Sequence, residues 1–214
     1  MNKVQMMTAR RIPLVPSLLC AVLLAGCAST PPRNLDDICA IFEEKPDWYR
    51  DAKDSYRKWK VPIPVMMAII HQESRFHADA RPPRTKLLGF IPWTRSSTSY
   101  GYAQALESTW DIYVKNTGNR EAKRDDFGDV VDFVGWYCAR SHRKCRISKQ
   151  DAYNLYLAYH EGWDGFNAHT YRGQGWLINV ARKVKNRASL YSAQLGRCRE
   201  ELDRKKSKKF LGIF

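Results

Sequence analysis

Among the ionisable residues of this chain, Glu73 sits in the most unusual sequence setting. Met66, Ile69, Ile70 and Glu73 follow one another at i, i+3, i+4 and i+7, so a helix would carry all four on one face. The carboxyl then ends a stripe that is otherwise core. Desolvation there raises a carboxyl pKa and prepares it to act as a general acid near neutral pH. The same pattern also fits a helix-end Glu that is exposed or paired with Arg75. Other chemistries find less support. His71, Glu73 and His77 do not form an HExxH metal site, and Asp111, Asp125, Asp126, Asp129 and Asp132 do not make an EF-hand loop. There is no glycine-rich phosphate loop and no serine-nucleophile elbow. Neither a metal nor a cofactor is expected. Trp136, Tyr137, Tyr153, Tyr156 and Trp163 recur at helical spacing and are read as core.

Three further segments extend the reading of Glu73. Ile70-His71-Gln72-Glu73-Ser74-Arg75-Phe76 resembles the Glu-Ser motif of the soluble-lytic-transglycosylase family, in the goose-type lysozyme superfamily. Gly101-Tyr102-Ala103-Gln104 matches the family's Gly-Leu-Met-Gln at its first and last positions, and Thr109 fits a Thr a few residues on. Ala158-Tyr159-His160-Glu161-Gly162 matches Ala-Tyr-Asn-Ala-Gly at its first, second and last positions. The segment from Val61 to Ile70 has the look of the family's active-site helix, and the resemblance covers roughly residues 47–192.

The resemblance implies a mainly α, lysozyme-like domain that cleaves the MurNAc–GlcNAc β-1,4 bond of peptidoglycan. One Glu protonates the glycosidic oxygen. The same carboxylate then helps the muramyl C6 hydroxyl attack C1, giving a 1,6-anhydro product without water. The substrate supplies the nucleophile, so the usual second glycosidase carboxylate is not needed. Carried onto this chain, Glu73 is the acid/base and Gln104 lines the sugar cleft. Tyr159 places its hydroxyl near the carboxyl, and Ser74 supports it. Tyr102 forms part of the cleft wall. Ser99 stands for a substrate-contacting Ser upstream of the Gly-Leu-Met-Gln motif, and His160 replaces the motif Asn as a candidate substrate contact. Glu161 adds a second acid that either borders the cleft or faces solvent. Thirty-one positions separate Glu73 from Gln104, a longer interval than the family's, with the excess in Arg81–Thr98. That excess includes Leu87-Leu88-Gly89-Phe90-Ile91-Pro92-Trp93, a candidate either for sugar stacking or for packing on the domain. A lysozyme-like hydrolase and a non-catalytic glycan-binding envelope protein are the alternatives to the lytic reaction.

The elements that must position these residues are helical. Helices are expected from Asn34 to about Glu44, Asp47 to about Lys60, Pro62 to about Ser74, and near 106–116, 127–140, 149–160 and 175–194. Ser148 and Asp151 resemble a capping pair for the helix near 149–160. Residues 77–98 read as irregular, and no segment shows sustained strand alternation.

The ends of the chain carry addresses. Residues 1–26 have a positive start, a short apolar core and small residues before Cys27, which describes a signal peptide. Leu24-Ala25-Gly26-Cys27 resembles a lipobox, making Cys27 the lipidation site. Ala28 after it fits sorting to the periplasmic side of the outer membrane. Residues 27–46 are then a lipid-anchored tether and first helix, 47–194 the catalytic domain and 195–214 a basic tail. Cys39, Cys138, Cys145 and Cys198 remain for disulfides. Pairing Cys39 with Cys198 staples the ends of the domain. Pairing Cys138 with Cys145 requires a helix end around Ser141–Lys144, because seven helical residues span ~10 Å. Four free thiols are the alternative.

The 214-residue chain has a net charge of +14 from 36 Lys+Arg against 22 Asp+Glu. The signal holds three of those positive charges. Residues 27–180 have 22 basic and 19 acidic side chains, while 181–214 have 11 and 3. The expected catalytic body is nearly neutral, which argues against a nucleic-acid partner. The basic end suits an anionic wall or lipid surface, or an envelope protein partner.

Overall fold

The computed structural model describes residues 30–82, 84–87, 91–95 and 97–210. The expected signal peptide, the Cys27 lipidation site and residues 88–90 of the apolar insertion lie outside them, as do the last four residues of the chain. Seven helices dominate: α1 (Ile38–Glu44), α2 (Pro46–Trp59), α3 (Ile63–Ser74), α4 (Glu107–Thr117), α5 (Phe127–Cys145), α6 (Ala152–Asn167) and α7 (Gly175–Phe210). A short 3-10 turn at Thr170–Gly173 joins α6 to α7.

Local chemistry sets most of these boundaries. The Asp37, Asp126 and Asp151 carboxylates accept from the backbone N–H groups of Cys39, Asp129 and Asn154, capping α1, α5 and α6. Pro46 opens α2 and Pro64 lies in the first turn of α3, where a missing N–H costs no helical bond. Lys60, Arg75 and Gly118 take left-handed conformations that stop α2, α3 and α4. The Ser148 hydroxyl bonds to Gln150 rather than to the helix, so Asp151 caps α6.

Helix α3 is apolar nearly all round. Every residue from Ile63 to Ile70 is buried, the mark of a central helix rather than a surface one. It packs among α2, α5, α6 and α7. Helix α5 comes close to α2 at Gly135, where a Cβ would lie 2.5 Å from Ser55 Oγ and 2.7 Å from the Trp59 ring.

Two expectations are corrected here. Residues 77–98 are not wholly irregular, since β1 (Arg84–Leu87) pairs antiparallel with β2 (Ile91–Arg95), Leu87 opposite Ile91. The insertion therefore satisfies its own backbone by pairing with itself. The segment read as a tail from residue 195 is a continuation of α7, which runs to Phe210. Leu195 and Leu202 are buried, and Asp203 accepts from Tyr49 (2.9 Å) and Lys53 (2.5 Å) of α2.

Helix α7 also holds the N-terminal segment. Arg187, Tyr191, Gln194 and Cys198 recur at i, i+4, i+7 and i+11, forming one stripe. Arg187 pairs with Asp36 at 2.6 Å, and the Tyr191 hydroxyl donates to the Leu35 carbonyl. The Gln194 amide accepts from Ile38 N–H (3.1 Å) and donates to Asp36 C=O (2.9 Å). Cys198 is disulfide-bonded to Cys39, with Cα atoms 6.1 Å apart.

The other expected disulfide is absent. Helix α5 runs unbroken through Cys138 to Cys145, so their Cα atoms stand about 10 Å apart along it. Cys138 is fully buried, which pushes its thiol up to about 12. Non-reducing peptide mapping is expected to find Cys39 linked to Cys198 and the other two as thiols. Native alkylation should reach Cys145 well before Cys138. Replacing Cys39 and Cys198 by Ala should lower unfolding free energy by about 2–5 kcal/mol, because the bond closes a loop of 159 residues. Urea titration of the purified chain measures this.

Candidate active site

Glu73 lies in the last turn of α3, where the apolar helix reaches the surface. It keeps partial contact with solvent, yet the protein around it is dense enough to push its carboxyl up to about 7. Burial is the dominant cause, because the charged form loses hydration. One contact acts in the opposite sense. The Tyr156 hydroxyl, from the facing side of α6, donates to the Glu73 carboxylate and stabilises its ionised form. Among the described residues, no cation and no second carboxylate contributes to the Glu73 pKa. The exposed Arg75 caps the helix instead of pairing with it.

Tyr156 is the site residue that periodicity concealed. It is 4% exposed and fits a core position by spacing. Its hydroxyl makes the difference, because a buried phenol needs a partner and here the partner is Glu73. Tyr159, one turn on, is also close enough to Glu73 to feel its charge. Its hydroxyl donates to the Ala103 carbonyl at 2.6 Å. Burial and the Glu73 charge raise both phenols above their ordinary range, so both remain donors.

The Ala103 contact joins α6 to the turn at 101–104. Gly101 has φ +77°, and a Cβ there would lie 1.8 Å from the Arg124 carbonyl oxygen. Only glycine fits this close backbone approach. Gly101 N–H donates to the Ala80 carbonyl (2.9 Å), and Arg124 C=O accepts from Tyr102 N–H (3.2 Å). The Arg124 guanidinium donates to the Thr98 and Ala105 carbonyls at 2.8 and 3.0 Å, holding both sides of the turn.

Gln104 is turned into this scaffold. Its amide nitrogen donates to the Ala80 and Gly101 carbonyls at 2.8 and 2.9 Å, and its oxygen accepts from the Ser99 hydroxyl at 3.4 Å. Gln104 and Ser99 thus tie the segment after α3 to the 101–104 turn, and both keep partial exposure. Tyr102 is not a cleft-wall residue. It is fully buried, edge-on to Trp48 and Phe127 with ring centroids 5.6 and 5.7 Å away. Ser74 is likewise buried, 8% exposed with its hydroxyl turned back to the Ile70 carbonyl.

The end of the third motif forms a clamp. His160 is exposed, with Nδ1 3.0 Å from Glu161 Oε1. Glu161 neither borders Glu73 nor faces open solvent. Its other oxygen accepts from the Thr170 hydroxyl and from Gln174 Nε2 (2.9 Å), and the Thr170 bond leads the effects that lower its pKa. Gly162 breaks α6 with φ 74° and ψ 169°, a conformation essentially confined to glycine. His71 faces the other way on α3, between the Phe76 and Tyr191 rings. Burial pushes it down to about 4, so it is neutral at pH 7.

The residues expected at the site therefore converge in part. Glu73, Gln104, Ser99 and Tyr159 belong to one assembly, to which the structure adds Tyr156 and Arg124. His160 lies one turn further along α6, while Tyr102 and Ser74 serve as packing. The arrangement offers one carboxyl that is protonated or ionised with nearly equal ease at neutral pH, beside a fixed hydroxyl donor. That combination suits transfer of a single proton in both directions.

A protein-family model described as "Transglycosylase SLT domain" matches residues 15–198. No curated protein and no solved structure matches the chain.

The raised Glu73 pKa has a thermodynamic consequence. The folded chain binds this proton more tightly than the unfolded chain, so stability falls as pH rises from about 4.5 to above 7. Glu73→Gln is expected to match wild type near pH 4 and to exceed it by about 3 kcal/mol at pH 8, measured by urea unfolding. Tyr156→Phe removes the bond that lowers the pKa. The Glu73 titration should then move upward, which carboxyl NMR can follow.

Proposed function

The chain belongs to the transglycosylase SLT family, and on that premise we propose that it is a lytic transglycosylase cleaving the MurNAc–GlcNAc β-1,4 bond with formation of 1,6-anhydro-MurNAc. The observation that carries this reading is the solitary, near-neutral Glu73 carboxyl at the junction of the three motifs. Family membership makes the chain an enzyme acting on peptidoglycan. The surroundings of Glu73 favour the lytic form of that reaction.

Protonated Glu73 donates its proton to the glycosidic oxygen as the bond from that oxygen to C1 of MurNAc breaks. The departing GlcNAc leaves as an alcohol. The carboxylate that remains accepts the proton of the muramyl C6 hydroxyl as that oxygen bonds to C1. The proton balance closes on Glu73, and no water enters. One carboxyl with a pKa near 7 suits both halves, since it must lose and regain the proton with similar ease. The Tyr156 hydroxyl stabilises the carboxylate between the two transfers and keeps its oxygens oriented. A hydrolase of the two-carboxylate type would use a second acid to activate water. Glu161, the second acid that the motifs carry, is committed to His160, Thr170 and Gln174.

The N-terminal motif supports lipidation at Cys27 and residence on the periplasmic side of the outer membrane, where this substrate lies. Mass spectrometry of the sugars released from purified peptidoglycan tests the reaction. The expected product ends in anhydro-MurNAc, and Glu73→Gln should abolish its release by at least about 10³-fold. Reducing MurNAc ends would overturn the lytic reading. Activity should also fall as pH rises above about 7, where Glu73 loses the proton it must donate.

A further inference from the structure

Trp176 is the most exposed large apolar side chain among the described residues, at 57%. An indole left this far in water forgoes the burial that a core position would provide, and its flat apolar face with a polar N–H edge is suited to contact at a wet surface. It stands beside Gln174 at the start of α7 and is held in place. Its ring meets the His160 ring at 77° with centroids 5.1 Å apart. His160 is in turn held by Glu161, and Glu161 by Gln174 and Thr170. The clamp therefore runs from α6 to α7 and back to the residue beside the indole.

The position of this clamp relative to Glu73 gives it a meaning. His160 follows Tyr156 by four residues, one turn along the same face of α6, or about 6 Å. Tyr156 touches the Glu73 carboxyl and His160 touches Trp176. Tyr156 and His160, one turn apart on α6, thus connect the indole to the reacting carboxyl.

We propose that Trp176 is a stacking platform for a sugar ring of the glycan strand beside the scissile bond, positioned by His160 and Glu161. The inference deepens the reading of the chain as a peptidoglycan-cleaving enzyme and rests on it. A pyranose presents an apolar face of C–H groups that packs against an indole, while its hydroxyl, N-acetyl and peptide substituents remain in water. Contact of this kind is made equally in the ground and transition states, so it acts on KM and leaves kcat alone. The clamp also gives the two departures from the family motif a joint role, because His160 supplies the ring and Glu161 the anchor that orient the platform.

Kinetics on solubilised glycan strands test this, with wild type, Trp176→Ala, Trp176→Phe and His160→Ala. Trp176→Ala should raise KM up to about tenfold with kcat within about twofold, the worth of one aromatic stack. Trp176→Phe should recover most of the loss, and His160→Ala should move KM in the same direction as Trp176→Ala. A second measurement does not depend on catalysis. Sedimentation of Glu73→Gln with insoluble peptidoglycan should weaken by the same factor when Trp176→Ala is added. Unchanged KM and unchanged sedimentation would overturn the platform, and so would a fall in kcat at constant KM. If wild type cleaves nothing, the reaction reading fails while the sedimentation pair still decides whether Trp176 holds glycan. Because Trp176 is mostly exposed, thermal melting should show the variants folded like wild type.

Discussion

The structure is organised around the burial of one ionisable carboxyl. Glu73 is placed where the most apolar helix of the domain meets the surface, and dehydration alone brings its pKa near neutrality. A nearby cation would undo that shift, and a second carboxylate would split the proton between two sites. The surroundings supply neither among the described residues. They supply a single hydroxyl, from Tyr156, which can donate to the ionised form without cancelling the shift. This is a costly arrangement at high pH, and the rest of the domain supports it.

That support comes from rigid neighbours. Helix α3 is enclosed by α2, α5, α6 and α7, and Gly135 lets α5 approach α2 more closely than any side chain would permit. The other wall of the site is a turn rather than a helix, so it needs explicit bonds. Gly101 provides the close approach to Arg124, Gln104 ties the turn back to Ala80, and Tyr159 ties it to α6. Gly101, Gln104 and Tyr159 are thus each bonded to an element remote in sequence. Gln104 and Tyr159 fix the shape of the surroundings of Glu73.

Helix α7 does for the whole domain what these bonds do for the site. Its stripe from Arg187 to Cys198 takes up the Leu35 and Asp36 carbonyls and the Ile38 N–H at the start of α1. The disulfide at the end of the stripe makes that attachment covalent. The start of the same helix carries Trp176, so one element links the N-terminal segment to the edge of the catalytic site.

Much of this could be read in the chain without coordinates. The apolar stripe ending in Glu73, the capping Asp residues and the prolines that open helices are local signals, and local signals survive in a one-dimensional string. The order of the three motifs pointed to the family, and an even count of cysteines suggested disulfides, with Cys39 to Cys198 the pairing that staples the ends of the domain. What failed depended on partners remote in sequence or on where a helix stops. Tyr156 looked like core because spacing places a ring inside but does not reveal what its hydroxyl meets. Tyr102 and Ser74 lie within motifs yet point into packing, and Glu161 looked like a spare acid until Thr170 and Gln174 came round to hold it. Cys138 and Cys145 stayed apart because α5 continues past the expected break. Residues 195–204 joined the body because Leu195 and Leu202 find a core to bury against. Sequence periodicity sets which face of a helix is apolar. Which neighbour that face meets, and which hydrogen bonds the meeting completes, depends on contacts that form only when distant segments are brought together.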